Sequence, residues 1–167
     1  MREHIIKTGY FNLNPASVKE ILCHERIERY AQFSSFFDNN DFPYGSANEF
    51  FMGSCDIFAL ALKRRFNYST WIIKTKGDSA TFHVFSITSV KNKEVYIDVR
   101  GMTSNFCEFL TNTMFAEKDN YEVSPYDTAR IEGLRDEWAE VGYQYANAII
   151  SDHLEYYKLI AIEDDNS

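Results

Sequence analysis

The spacing of apolar positions changes twice along the chain, from a helical period to a strand period and back again. Asn14-Pro15 suits a helix start, because Asn caps a helix well and Pro loses no hydrogen bond at the first helical position. Apolar residues three and four positions apart then predict a helix from 15 to about 32. After a turn-rich stretch at 36–48, which predicts a loop, Ser54 opens a second helical pattern. It ends at the basic run 63–65, where the helix dipole favours cations.

Three strand-like runs occupy the middle of the chain. Each is rich in Ile, Val, Thr, Tyr, Phe or Trp and is bounded by turn residues: 69–75, 81–90 and 94–99. Their short connections predict an antiparallel meander, because parallel strands need a long crossover. Two later segments, 105–110 and 128–157, return to helical spacing. Strands that are grouped between helices, and do not alternate with them, indicate the α+β class.

The composition is that of one folded domain. The chain has 167 residues, of which 45% are apolar and 16% aromatic, so it can bury a sizeable core. The aromatic content also excludes an intrinsically disordered chain. The net charge of −8 argues against a nucleic-acid-binding protein, whose surface needs clustered Lys and Arg. We expect a single domain over residues 1–162 and a frayed acidic tail at 163–167.

No segment has the character of a membrane span or an export signal. The longest apolar run, 50–62, is interrupted by Asp56, and the N-terminal residues lack the apolar core of a secretory signal. We therefore expect a cytoplasmic protein with no membrane partner, in which Cys23, Cys55 and Cys107 stay reduced. The absence of a Cys-x-x-Cys pair argues against a zinc finger or a dithiol redox motif. No cofactor is expected.

Cys55 stands at the predicted start of the second helix, two residues after a glycine. Backbone N–H groups and the positive end of the helix dipole favour a thiolate in this position. The same N–H groups can donate to a developing oxyanion. Cys55 is therefore a candidate nucleophile, and the alternative is a buried cysteine that serves only as a small apolar residue.

A candidate base and a candidate acid follow on the predicted strands. His83 lies inside the second strand and Asp98 near the end of the third. In a hairpin that turns about residue 92, the residue opposite His83 is three positions away from Asp98. A bulge or a longer turn would correct this offset. A carboxylate on the neighbouring strand fixes the tautomer of an imidazole base and stabilises the imidazolium. The alternative is a core histidine near a turn-capping aspartate.

The order of these three residues resembles that of the papain-like cysteine hydrolase superfamily, and of its transglutaminase-like branch in particular. The motif Gly53-x-Cys55-x-x-Phe58-Ala59 is similar to the turn that carries the nucleophile in transglutaminase-like domains. The resemblance covers residues 48 to 101 and lies in order and spacing more than in identity. The segment 98–101, Asp-Val-Arg-Gly, departs from the Asp-Pro turn common in that branch. The resemblance implies a papain-like fold, in which the Cys-bearing helix packs on a small antiparallel sheet with helices before and after it.

The resemblance also implies roles for the site residues. Cys55 would be the nucleophile, His83 the general base and Asp98 the residue that orients His83. Members of the superfamily cleave peptides, deamidate amides and transfer acyl groups to amines, all through a thioester. A cysteine-dependent hydrolase or acyltransferase acting on a protein or peptide is therefore the implied function. Asn48, seven residues before Cys55, is the nearby amide that can complete an oxyanion hole.

Two other functions stay open. A zinc site of Cys55, His83 and Asp98 would use acceptable ligands, but no closely spaced ligand pair supports it. His24 beside Cys23 is weaker still as a metal pair, because adjacent helical positions point in different directions. The other function is that of a catalytically silent protein of the same fold, which binds and inhibits or adapts a protein partner. The charge of −8 would suit a basic partner.

Overall fold

The structure is a computed structural model. It describes five stretches of the chain: residues 7–9, 47–111, 113–116, 119–133 and 137–159. The helix predicted from 15 to about 32, most of the loop predicted at 36–48 and the predicted tail at 163–167 lie outside these stretches.

Helices and strands follow one another in an order that confirms the α+β class. In chain order they are β1 (Lys7–Gly9), α1 (Ala47–Met52), α2 (Cys55–Phe66), β2 (Ser69–Thr75), β3 (Phe82–Val90), β4 (Lys93–Asp98), β5 (Gly101–Thr103), α3 (Phe106–Leu110), β6 (Tyr121–Pro125), α4 (Ala129–Glu132), α5 (Glu137–Asp152) and α6 (Leu154–Tyr157). The Cys-bearing helix and the three central strands lie within one residue of their predicted bounds.

The strands form one antiparallel sheet of six strands, in the order β1-β5-β4-β3-β2-β6. The predicted meander is its centre, β2-β3-β4. The three further strands were not predicted, because β1 and β5 have only three residues each and β6 contains the polar residues Glu122 and Ser124. Such segments carry too short or too weak an apolar alternation to indicate a strand.

Helices cover both faces of this sheet. Helix α2 packs on β3 with one side and on α5 with the other, and most of its buried apolar residues belong to the largest core cluster. On the opposite face, Ile73 and Phe85 of the sheet pack against Phe109 and Leu110 of α3. Neighbouring residues of β3 therefore face different layers, with Val84 near α2 and Phe85 near α3.

Two predicted segments differ in the structure. Residues 47 and 48, predicted as the end of a loop, begin α1. The single helical segment predicted at 128–157 is divided into α4, α5 and α6, and Gly133 caps the end of α4. In the part of the chain that the structure describes, no helix has the length and apolar character needed to cross a membrane.

Candidate active site

The turn between α1 and α2 sets Cys55 as the first residue of α2. The N–H groups of Gly53 and Ser54 both donate to the carbonyl of Glu49, at 2.8 and 2.9 Å. The Ser54 hydroxyl donates to the Glu49 carboxylate at 3.0 Å. A Cβ at Gly53 would lie 2.8 Å from Oε1 of Glu49, so a side chain there would displace Glu49 from Ser54. Gly53 and Ser54, the two residues before Cys55, therefore both suit this tight turn.

A two-residue turn, Lys91-Asn92, closes the hairpin between β3 and β4. Both residues are in the left-handed region, with φ of 49° and 65°, as a type I′ turn requires. Val90 therefore pairs with Lys93. This turn sets the register of every residue pair further along the hairpin, including the pairs near the candidate site.

The register brings His83 and Asp98 to the same face of the sheet. Ser86 pairs with Ile97, so the next residue of β4, Asp98, falls opposite Phe85. His83 is two residues from Phe85 along β3 and shares its face. The predicted offset of three positions was wrong, because the turn is centred half a residue earlier than predicted. The actual offset of two needs neither a bulge nor a longer turn.

The sulfur of Cys55 lies where β4 ends. The next pair in the register would join Val84 to Val99, but Val99 lies in the turn from Asp98 to β5. The N–H of Val84 donates instead to Sγ of Cys55, at 3.3 Å. Because Val84 follows His83 in β3, this contact holds the thiol beside the imidazole.

His83 joins the other two candidate residues. Its Nε2 lies 3.0 Å from Oδ2 of Asp98, and Cys55 is close enough to the ring to raise its pKa. Three phenylalanine rings pack around the imidazole, with centroid distances of 5.8, 6.1 and 6.3 Å: Phe51, Phe109 and Phe85. The structure thus brings Cys55, His83 and Asp98 into one cluster, in which His83 is hydrogen-bonded to Asp98.

These contacts control the protonation of His83. Burial lowers its pKa, but the hydrogen bonds and negative charges of Asp98 and Cys55 together outweigh burial and raise the pKa from 6.5 to about 9. The ring is therefore an imidazolium at neutral pH, and its Nε2 donates to Asp98.

Asp98 is held by Arg100, whose position in the sequence suited either a cation near the site or the end of a strand. Arg100 donates to Oδ1 from its backbone N–H at 2.8 Å and from Nε at 3.1 Å. Nη2 donates to Oδ2, the oxygen that also contacts His83, at 2.6 Å. Burial raises the pKa of Asp98, but the charge of Arg100 and the bond to His83 outweigh it and lower the pKa well below its usual range. The signal for Arg100 was a lone cation two residues after Asp98.

The candidate site is closed to solvent. Cys55 and His83 each expose 5% of their surface, and Asp98 exposes 3%. The space beside Cys55 is too narrow for a water molecule, and its walls are apolar apart from Cys55 and Asp98 themselves. A substrate carbonyl can reach the sulfur only if neighbouring side chains move.

The other candidate residues predicted from the sequence lie elsewhere along the chain. Asn48 lies in α1, and its part in an oxyanion hole stays a prediction. Cys107 is an exposed free thiol on α3. Cys23 and His24 lie outside the described residues. Within the stretches that the structure describes, no three His, Cys, Asp or Glu residues are grouped so that they could hold a metal ion.

The raised pKa of His83 predicts that stability falls as the pH rises. A group whose pKa is higher in the folded protein stabilises it fully below the unfolded value, here 6.5, and this contribution is lost as the pH passes through about 9. We expect the free energy of unfolding in urea to decrease between pH 7 and pH 9.5, and to decrease less in His83→Gln. Equal slopes in the two proteins would contradict the assignment.

Comparison of the chain with protein-family models, with curated proteins and with solved structures finds no match in any of the three. The contacts among Cys55, His83, Asp98 and Arg100 are therefore the observations that bear on function.

Proposed function

We propose that the protein is a cysteine-dependent hydrolase or acyltransferase of papain-like or transglutaminase-like type. One observation carries the proposal: Cys55, at the first turn of a helix, lies beside a histidine whose Nε2 is bonded to a buried carboxylate. Nucleophile, base and orienting acid are the three parts that thiol acyl transfer needs. A protein or peptide is the proposed substrate.

The proposed reaction uses all three groups. The Cys55 thiolate attacks an amide or ester carbonyl carbon, and the His83 imidazolium then gives its proton to the leaving amine or alcohol. Asp98 stabilises the imidazolium before this transfer and again when it forms anew. N–H groups in the first turn of α2, which have no acceptor within the helix, donate to the oxyanion. The N–H of Ile57 already donates to the Asp56 carboxylate, at 2.9 Å. The oxyanion is therefore bound by the N–H groups of the first turn that precede Ile57. Water or an amine then attacks the thioester carbonyl, His83 takes the proton of the attacking group, and the C–S bond breaks to release the Cys55 thiolate.

The direct test is acetylation of Cys55. We expect p-nitrophenyl acetate to release nitrophenol in a burst of one equivalent per protein, and peptide mass spectrometry to locate one acetyl group on Cys55. Release without a burst, or acetylation of Cys107 alone, would contradict the proposal.

Labelling with iodoacetamide tests the pairing of Cys55 with His83 without a substrate. The imidazolium stabilises a thiolate, and only the thiolate is nucleophilic. We expect His83→Ala to slow labelling of Cys55 at pH 7 by roughly tenfold or more, because the positive charge beside the sulfur is lost. The exposed Cys107 should be labelled at the same rate in both proteins and serves as the internal control.

The closed site favours a second function. A catalytically silent protein of the same fold, which binds a protein partner, needs no access to Cys55, and Cys55 is 5% exposed. The charge of −8 suits a basic partner. In that case neither acetylation nor labelling of Cys55 occurs in the folded protein. For either function we propose a cytoplasmic location, supported by Cys55 and Cys107, which are both free thiols.

A further inference from the structure

Arg100 is a buried cation that the proposed reaction does not use. It is 1% exposed and is the largest of the fully buried side chains in the described part of the chain. Arginine is almost never buried unless it is paired, because taking its charge out of water is costly. Its contacts therefore indicate what it does.

On one side, Arg100 binds Asp98 through most of the carboxylate's acceptor positions. The backbone N–H and Nε donate to Oδ1 at 2.8 and 3.1 Å, and Nε and Nη2 donate to Oδ2 at 3.1 and 2.6 Å. His83 supplies the remaining bond, to Oδ2. A carboxylate bonded in this way cannot rotate without breaking several charge-assisted hydrogen bonds.

On the other side, the structure fixes Arg100 itself. Nη1 donates to the carbonyl of Thr111 and Nη2 to that of Phe109, both at 2.8 Å, at the C-terminal end of α3. The guanidinium carbon lies 4.7 Å from the ring centroid of Phe51 and 5.2 Å from that of Phe109. Carbonyls and aromatic faces both stabilise a buried cation. The contacts with α1 and α3 thus fix Arg100 independently of its bonds to Asp98.

We infer that Arg100 is a positioning residue, which fixes the direction and the charge of the Asp98 carboxylate so that Oδ2 stays bonded to Nε2 of His83. The inference rests on the proposed function, because it makes Arg100 act on the reactive site through Asp98. Without Arg100, a carboxyl group that is 3% exposed would keep only His83 as its charged partner, and burial favours its neutral form. A neutral Asp98 does not stabilise an imidazolium.

Few ionisable groups face Asp98. Within the described residues they are His83 from β3, Arg100 from the turn after β4, and Cys55 from α2. Helices α1 and α3 present phenylalanine rings, Phe51 and Phe109, to the same cluster. A change in the titration of Asp98 on substitution of Arg100 can therefore be assigned to Arg100.

The test compares wild type with Arg100→Met and Arg100→Lys by two readouts. Carbon-13 NMR of the aspartate carboxyl groups follows Asp98, which we expect to titrate at higher pH in Arg100→Met than in wild type. Iodoacetamide labelling of Cys55 at pH 7 should be about tenfold slower in Arg100→Met. Arg100→Lys keeps the charge but loses the forked geometry, so both readouts should lie between those of the other two proteins.

Asp98→Asn provides the matched background. If Arg100 acts through Asp98, adding Arg100→Met to Asp98→Asn leaves the labelling rate where Asp98→Asn alone puts it. An equal shift in both backgrounds, or an Asp98 titration that Arg100→Met does not move, overturns the inference. If Arg100→Met does not fold, Arg100→Lys decides, since an unchanged carboxyl titration there overturns it as well. If substitution of Arg100 moves the titration of Asp98 but Cys55 is never acetylated, the proposed function is contradicted. The inference that Arg100 positions Asp98 is not contradicted by that result.

Discussion

Cys55→Ala is expected to lower hydrolysis of p-nitrophenyl acetate by roughly 10⁴-fold or more. The substitution removes the only atom of the site that can form the thioester, and the histidine left behind is an imidazolium at neutral pH and so a poor nucleophile. Initial rates at pH 7 with purified protein measure the effect.

The fold should survive this substitution, because alanine fits the first turn of a helix and the thiol is small. Circular dichroism and the urea midpoint check this. Cys107→Ala is the matched control, since Cys107 is an exposed thiol on α3 and lies outside the cluster of Cys55, His83 and Asp98. Loss of hydrolysis in Cys107→Ala, or its retention in Cys55→Ala, would contradict the assignment of the nucleophile.

Asp98→Ala is expected to lower the free energy of unfolding by about 3–5 kcal/mol, because it leaves the guanidinium of Arg100 buried without its carboxylate. The surface pair of Lys74 and Glu122, at 3.0 Å with side chains 37% and 50% exposed, provides the comparison. Glu122→Ala should cost less than about 1 kcal/mol, since an exposed ion pair contributes little. Urea unfolding at pH 7 measures both.

The double variant Asp98→Ala/Arg100→Met separates charge from packing. It leaves no unpaired arginine, so it should recover part of the stability that Asp98→Ala loses. A double variant less stable than Asp98→Ala would show that Arg100 stabilises the fold mainly through α3 and the two phenylalanine rings.

Much of the fold was predictable because the relevant signals are local. The three central strands each carry a continuous run of β-branched and aromatic residues, and basic residues mark the end of α2. The pairing partners of β1, β5 and β6 are set by contacts distant in the sequence. Apolar spacing within a short segment contains no information on them.

The candidate site was predictable in its residues but not in its contacts. Cys55, His83 and Asp98 were indicated by their types and order. That His83 and Asp98 share a face depends on the φ angles of two turn residues, which a single sequence does not reveal. The dual role of Arg100 depends on carbonyls at the end of α3. The closure of the site depends on packing around Cys55, and no pattern along the chain indicated it.

The two-residue turn at the tip of the β3–β4 hairpin also decides where the chain tolerates changes in length. Residues added at the tip lengthen a solvent-exposed loop and leave the strands in register, so insertions or a short epitope tag can be placed there at a small entropic cost. One residue inserted or deleted between His83 and Val90 exchanges the faces of every side chain beyond it, unless a bulge absorbs it. Length variation among divergent copies of this chain should therefore cluster at Lys91 and Asn92 and be absent from the strands on either side.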